Sequence, residues 1–493
     1  MAEPLPGTAL WIDQVAEAIR SGADRVLLTS AHDPADRGWT GRELARRIAG
    51  AAGLLDEAHC PTATTLPALL STNPESMALA VAGAATGRPL APLSPRLTLH
   101  ELAGQLSGLD SDFLLCEPES LDVGRALARQ CDRRLLVTAP LPVPSSGMSL
   151  QAGHDDTAFV LHTSGTTGRA RRVDIRQDRM GMRATLNARL MRLGPDSIIC
   201  ISSPFHHVGG LGALAVALAA GSRIVTFRGF SVEAWAGLRR FGVTHAQAVP
   251  SMIEMLLRAG TFALPTLRLL QYGAAPIHPD TLRRATAALP GADFVNLFGQ
   301  TEGAPLTCLT PEDHRRAIRG DEVLLRSVGR PIDEVELVIH EPDAAGVGEV
   351  RVRGAHLFRP EADGWLHTGD LGRLDDRGYL YLVGRKGDMI IRGGENVYPL
   401  EVEQALARHD EVQEAAVVGV PDLRVGEMVK AFVVPRDPAD PPDPQELRSF
   451  AREVLAGFKV PELWEFLPEL PRNPNGKVLR RALTGPGGGG DDT

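Results

Sequence analysis

Four short segments of this chain gather hydroxyls, glycines, carboxylates and cations closely enough to do chemistry. The first reads His162-Thr163-Ser164-Gly165-Thr166-Thr167-Gly168-Arg169-Ala170-Arg171-Arg172. Its two glycines let the backbone aim several amides at one point, its hydroxyls add donors, and arginines follow, a set that suits a polyphosphate. The spacing is not that of a Walker loop, and the same residues also make a polar strand-to-helix turn. The second, Asn296-Leu297-Phe298-Gly299-Gln300-Thr301-Glu302-Gly303, follows an apolar strand pattern. It offers a ring to stack a base and a hydroxyl–carboxylate pair to hold a metal ion. In the third, Thr368-Gly369-Asp370-Leu371 followed by Gly384-Arg385, an ionised aspartate after a tight turn can accept from both hydroxyls of a ribose. An isolated motif of this kind is also a common loop cap.

The fourth is Pro471-Arg472-Asn473-Pro474-Asn475-Gly476-Lys477-Val478-Leu479-Arg480, and a count gives it weight. Of 52 basic residues only Lys386, Lys430, Lys459 and Lys477 are lysine. A compact ammonium on a flexible stem is not interchangeable with a planar guanidinium. Each lysine kept in so arginine-rich a chain therefore invites a question about its geometry.

The elements that must position these segments follow from pattern. Short apolar runs at Leu66–Leu70, Phe113–Cys116, Leu135–Thr138, Phe159–Leu161, Ile198–Ile201, Ile224–Phe227 and Leu269–Tyr272 alternate with Ala/Leu-rich helical stretches. That alternation predicts an α/β fold of layered, largely parallel sheets and helices. Residues 1 to about 60 read as a helical start, with a helix opening at Thr40 or Gly41. Met182, Leu186, Leu190 and Leu193 repeat at helical spacing, placing a helix after the 163–168 loop. The texture changes near Gly384, where a small α+β pattern begins. It has a helix opened by Pro399, strands around Glu414–Gly419 and Val429–Val434, and a helix capped by Asp443. In that last helix Pro444 takes the first position, Glu446 completes a capping box, and an apolar stripe runs from Leu447 to Phe458. The expected division is a large N-terminal domain, 1–384, and a small mobile domain, 385–493, whose tail 485–493 is disordered.

At 493 residues, 43% hydrophobic and 23% charged, the chain is globular. A net charge of −9 without a basic block argues against nucleic-acid binding. The weakly polar stretch 208–221 is too short to span a bilayer, and the start lacks the basic region of a secretory signal. A cytoplasmic protein with no membrane partner is expected, its scattered cysteines serving as small buried hydrophobes.

Taken together and in order, the four segments resemble the adenylate-forming superfamily of acyl- and aryl-CoA synthetases, nonribosomal adenylation domains and luciferase. Asn73-Pro74-Glu75, Pro92-Leu93-Ser94-Pro95-Arg96, Gly273-Ala274-Ala275-Pro276, Gly348-Glu349-Val350 and Arg392-Gly393-Gly394-Glu395-Asn396 extend the likeness over nearly the whole chain. The resemblance implies a two-step reaction. A small-molecule carboxylate attacks the α-phosphorus of Mg-ATP, and a thiol, of coenzyme A or a carrier-protein pantetheine, then displaces AMP. It assigns the β- and γ-phosphates to Thr163, Ser164, Gly165, Thr166, Thr167 and Gly168, with Arg171 in place of the usual lysine. Adenine falls to Phe298, with Asn296, Gly299 and Gly273 to Pro276 around the nucleotide. Thr301 meets the α-phosphate, Glu302 the Mg2+ ion, and Asp370 with Arg385 the ribose. Lys477 bridges carboxylate and phosphate in the first step, whereas the segment holding Gly393 and Gly394 serves the second after the small domain rotates. Gly387 falls at the usual hinge position, or Lys386 does.

The acid pocket resembles that of acyl- and aryl-CoA ligases through Ser203-Pro204-Phe205-His206-His207-Val208-Gly209-Gly210, with His207 or His206 at the motif position. It lacks the aspartate that amino-acid-activating relatives use for an ammonium. The glycines at 209, 210 and 212, with Ala274 and Ala275, are expected to leave room for a flat ring. The alternative is a biosynthetic enzyme that passes a small acid, even nitrite, to a carrier protein or an amine.

Overall fold

The protein is described here by a computed structural model covering residues 9–32, 37–138, 140–164, 170–358, 361–472 and 478–484. Gly165, Thr166, Thr167, Gly168, Lys477 and the tail 485–493 lie outside the described residues. The chain divides into two compact units: Met1–Glu336 with Arg353–Leu366, and Leu337–Val352 with His367–Thr493.

The first unit is built on two sheets. One has nine strands, and its core consists of the parallel strands Val26–Ser30, Arg223–Thr226, Ile198–Ile201, His245–Ala248, Leu269–Tyr272 and Asp293–Gln300. The other has six, again parallel except for the hairpin Thr157–Ser164/Ala170–Arg176. The seven apolar runs all lie on strands, within a residue or a few at each end. Strands covered on both faces read as unbroken hydrophobic runs, and Leu66, Ala68, Leu69, Ile224 and Val225 are fully buried. The helix Pro74–Ala85 is buried nearly all round, which its Ala/Leu/Met composition permits. Trp11 packs its edge on Phe159 and donates its indole N–H to the Ala215 carbonyl at 3.0 Å. Cys60, Cys116, Cys200 and Cys308 are buried and free, and burial pushes the Cys116 thiol up to about 11.

Three local expectations change. The N-terminal sixty residues are not simply helical. Strands Val26–Ser30 and Trp39–Thr40 separate the helices Trp11–Ser21 and Gly41–Glu57, the second opened by a full Thr40/Glu43 capping box. The phosphate-loop segment joins two antiparallel strands, with Thr163 opposite Arg171, so the helix Gln177–Met191 begins one strand later than expected.

The third change lies in the second unit, which holds nearly all of a four-stranded sheet whose strands run between Glu336 and Arg385, and a five-stranded sheet flanked by the helices Pro399–Leu406 and Pro444–Val454. Asp443 caps the latter by accepting from the Gln445 amide, without the expected capping box. The helix ends at Val454; Leu455 is extended, and the rest of the apolar stripe continues in a short turn at Gly457–Lys459. Residues 384/385, where the sequence pattern changes, fall inside this unit, because Leu380–Arg385 pairs with Leu366–Leu374 in one sheet.

Five histidines are forced neutral by this packing. Burial holds His162, His207, His245, His314 and His356 at about 4, below the ordinary 6.5. The unfolded chain therefore binds more protons than the folded one between those values, and stability rises with pH across that window. The denaturation midpoint should fall steadily as pH drops from 6.5 towards 4, with proton uptake on unfolding. A midpoint independent of pH over that range would contradict the burial of these rings.

Candidate active site

Four connections leave the same edge of the nine-stranded sheet, the carboxyl end of its parallel strands, where ligands bind in open α/β sheets. They follow the strands Ile198–Ile201, His245–Ala248, Leu269–Tyr272 and Asp293–Gln300. The acid-pocket segment, the Gly273–Pro276 segment and the Thr301-Glu302 turn are three of them. All three carry site residues expected from the sequence, and the sheet brings them to one edge.

The first connection is pinned at its start. The Ser203 carbonyl accepts from the Thr72 hydroxyl at 3.1 Å, and the Ser202 hydroxyl donates to the Gln247 carbonyl at 2.9 Å. Val208–Gly212 then makes a single wide π-type turn, a form that recurs at functional sites. His207 caps it, its Nδ1 accepting from the Gly209 amide at 3.1 Å. Neutral and acceptor at Nδ1, the ring carries its proton on Nε2. The expectation that the glycines here leave room for a ring is not met at Gly210, where a Cβ would lie 1.9 Å from the Pro204 carbonyl oxygen. That glycine allows the chain to fold on itself.

The second connection follows the fully buried Tyr272, whose hydroxyl meets His314 Nε2 at 2.9 Å. Gly273 packs against the neighbouring strand so closely that a Cβ would lie 2.7 Å from the Leu297 carbonyl oxygen. Ala274 takes a left-handed φ of 68°, and Ala274, Ala275 and Pro276 are exposed. Strain of this kind gathers at binding sites. Asn296 is buried, whereas Phe298 and Gly299 are half-buried.

The Thr301-Glu302 turn joins antiparallel strands, Gln300 pairing with Gly303. Thr301 is buried and Glu302 half-buried. The turn is held by its carbonyls. Arg183 donates from Nη1 to Thr301 at 3.1 Å and from Nε to Ala304 at 2.9 Å. The Phe358 amide donates to Glu302 at 2.7 Å, and His356 Nε2 donates to Pro305 at 2.9 Å. The Arg183 guanidinium also stands over the Phe358 ring, 5.1 Å from its centre. Burial pushes it down to about 10, against the pull of Glu302, so it stays charged at neutral pH. Sequence reasoning missed Arg183. The available signal was a cation flanked in sequence by Met180, Met182, Ala184 and Leu186, all buried in the same helix.

Glu302 and Thr301 offer hard oxygens, the donor type that suits a Mg2+ ion shared between one carboxylate and substrate phosphates. Of the phosphate loop, Thr163 and Arg171 lie on the paired strands. Arg171 is exposed, whereas Arg172 is engaged with Asp174 and Thr65. A cavity of about 490 Å3, lined by Leu28, His32, Trp39, Asn73 and Arg228 among others, includes none of these candidate residues.

In the second unit Asp370 follows Gly369 at φ 69° and is buried, facing Arg385 across the antiparallel pair at 2.7 Å. Gly393 and Gly394 form the two-residue turn between Arg392 and Glu395, both with positive φ. Lys430 and Lys459 pair with Glu465 and Glu401 and lie over Phe432 and Phe458. Lys386 lies 3.4 Å from Glu349. Lys477 is outside the described residues, but Arg472, before it, reaches Glu414, and Arg480, after it, is bound to Glu403, Asp388 and the Val417 carbonyl.

The family model described as AMP-binding enzyme matches residues 15–360, and that described as AMP-binding enzyme C-terminal domain matches residues 401–477. The fatty acid–[acyl-carrier-protein] ligase of Streptomyces coeruleorubidus is 34% identical over 442 residues, 81% of this chain and 82% of that one. The feruloyl-CoA synthase of an Amycolatopsis species is 31% identical over 459 residues, 89% and 92% of the two chains. Among solved structures, the amide bond synthetase McbA of Marinactinospora thermotolerans superposes with a TM-score of 0.84 at 28% identity, covering 96% of this chain and 99% of that one.

Gly273→Ala should cost about 1–3 kcal/mol of stability through overpacking against Leu297. Denaturant titration measures it, and an unchanged midpoint would mean that the two strands can separate freely.

Proposed function

Because the chain belongs to the AMP-binding, adenylate-forming enzyme family, we propose that it activates an aryl or acyl carboxylate with ATP and passes the acyl group to a thiol, that of coenzyme A before others. The observation that carries this reading is the gathering of the acid-pocket segment, Gly273–Pro276 and the locked Thr301-Glu302 turn at one edge of a parallel sheet. In the first step a carboxylate oxygen attacks the α-phosphorus, and the bond to the β-phosphate breaks to release pyrophosphate. In the second, the sulfur attacks the acyl carbon and AMP leaves.

Phosphoryl-type transfer asks the protein for alignment and charge neutralisation more than for covalent help. We assign Phe298 to the adenine face and Asp370, with Arg385 beside it, to the ribose. Thr301 meets the α-phosphate, and Thr163 to Gly168 with Arg171 hold the terminal phosphates. Glu302 would hold a Mg2+ ion, which supplies neutralisation of phosphate charge when bound. Lys477 offsets charge between carboxylate and α-phosphate in the first step only, and the small domain, taken to begin at 385, exchanges it for the Gly393–Gly394 segment in the second. Neutral His207 and the absence of a carboxylate from Ser203–Gly210 favour an acid without an adjacent ammonium, because an unpaired buried cation costs several kcal/mol.

The likeness to the carrier-protein ligase and to McbA favours a second reading, in which the acceptor is a carrier protein or an amine. Acid-dependent exchange of labelled pyrophosphate into ATP tests the shared first step without knowledge of the acceptor. Run over benzoates, cinnamates, fatty acids, amino acids and nitrite, it should respond to aryl or acyl acids, and Lys477→Ala should abolish it while sparing thiol transfer from supplied acyl-adenylate. Exchange confined to α-amino acids would overturn the substrate class, and exchange with nitrite alone would favour the second reading. Equal loss of both steps in Lys477→Ala would overturn its assignment.

A further inference from the structure

Four carbonyls of the segment Thr301–Pro305, the turn and the start of the strand after it, accept from donors outside it, and a single guanidinium takes two of them. We propose that Arg183 is a positioning residue for the nucleotide. By gripping Thr301 and Ala304 it fixes the Thr301 hydroxyl and the Glu302 carboxylate in their working geometry before the metal–triphosphate arrives. This rests on the reading above, in which those two groups meet the α-phosphate and the metal ion.

The two grip points bracket Glu302. Held on both sides, and with its own carbonyl taken by the Phe358 amide, Glu302 keeps a fixed backbone from which to extend its carboxylate. Phe358 serves twice, since its ring lies under the guanidinium that holds the other two carbonyls. Filling space does not explain a cation here. Met180, Met182, Ala184 and Leu186 are buried in the same helix, and a buried ionic group can often be replaced by a hydrophobic residue of similar volume without loss of stability. What an apolar residue would lack is a rigid fork spanning two carbonyls. A lysine at this position could reach one of them but not hold the pair at a fixed spacing.

The test compares Arg183→Met and Arg183→Lys with the wild-type protein. Arg183→Met should weaken MgATP binding, measured by calorimetry, and raise the MgATP half-saturation of pyrophosphate exchange by roughly 10–100-fold. Arg183→Lys should recover part of that loss. In the free wild-type protein the amides of residues 302–304 should already exchange slowly with solvent hydrogen, and in Arg183→Met they should exchange fast. A folded Arg183→Met with unchanged MgATP affinity would overturn the proposal, as would a lowered thermal midpoint with unchanged half-saturation. If Arg183→Met does not fold, the wild-type exchange measurement decides. Amides that open freely until nucleotide is added contradict a turn built in advance. Wild-type protein that performs no acid-dependent exchange with any acid would defeat the functional reading instead, and the hydrogen-exchange comparison would still report on the clamp.

Discussion

Arg183 is a charge buried to 3% exposure on the helix Gln177–Met191, and that constraint organises one end of the candidate site. A guanidinium removed from water must find acceptors, and carbonyls free of their own sheet partners are the natural ones. The hairpin of Asp293–Gln300 and Gly303–Leu309 supplies them. Its segment 301–305 thereby becomes fixed against the helix Gln177–Met191 on one side and against His356 and Phe358 on the other.

The remaining site segments are placed by close approach. Gly273 lets its strand lie against Leu297, and Gly210 lets the acid-pocket segment turn back on Pro204. Burial without a cationic role defines the local electrostatics. His207 is neutral, its Nδ1 occupied by the Gly209 amide, so the ring carries an N–H at Nε2 and no full charge.

Much of this was legible in the sequence. Parallel strands buried on both faces declare themselves as short apolar runs, so Leu66–Leu69, Phe113–Cys116, Ile198–Ile201 and Leu269–Tyr272 could be placed nearly to the residue. Thr40 with Glu43 and Asp443 with Pro444 marked helix starts by local chemistry. What depends on distant partners could not be read. Arg183 meets a turn more than a hundred residues away, and nothing in its neighbours names Thr301 or Ala304. The strand Ala170–Arg176 was hidden because its arginines interrupt an apolar pattern that only Val173 and Ile175 carry. The scarcity of lysine pointed at four positions, yet Lys430 and Lys459 are accounted for by a glutamate partner and a phenylalanine ring. The pattern change near Gly384 marked a change of composition, while sheet pairing carries the second compact unit further back along the chain.

A structure of the protein bound to a non-hydrolysable acyl-adenylate analogue, compared with one of the free protein, tests the central claim that the nucleotide meets a turn built before it arrives. The analogue's phosphate mimic should lie beside the Thr301 hydroxyl and its base against Phe298. The Thr301–Pro305 backbone should move by no more than about 0.5 Å and keep its four carbonyl bonds. An analogue seated away from Thr301, or a turn that swings and releases Arg183 on binding, would contradict it.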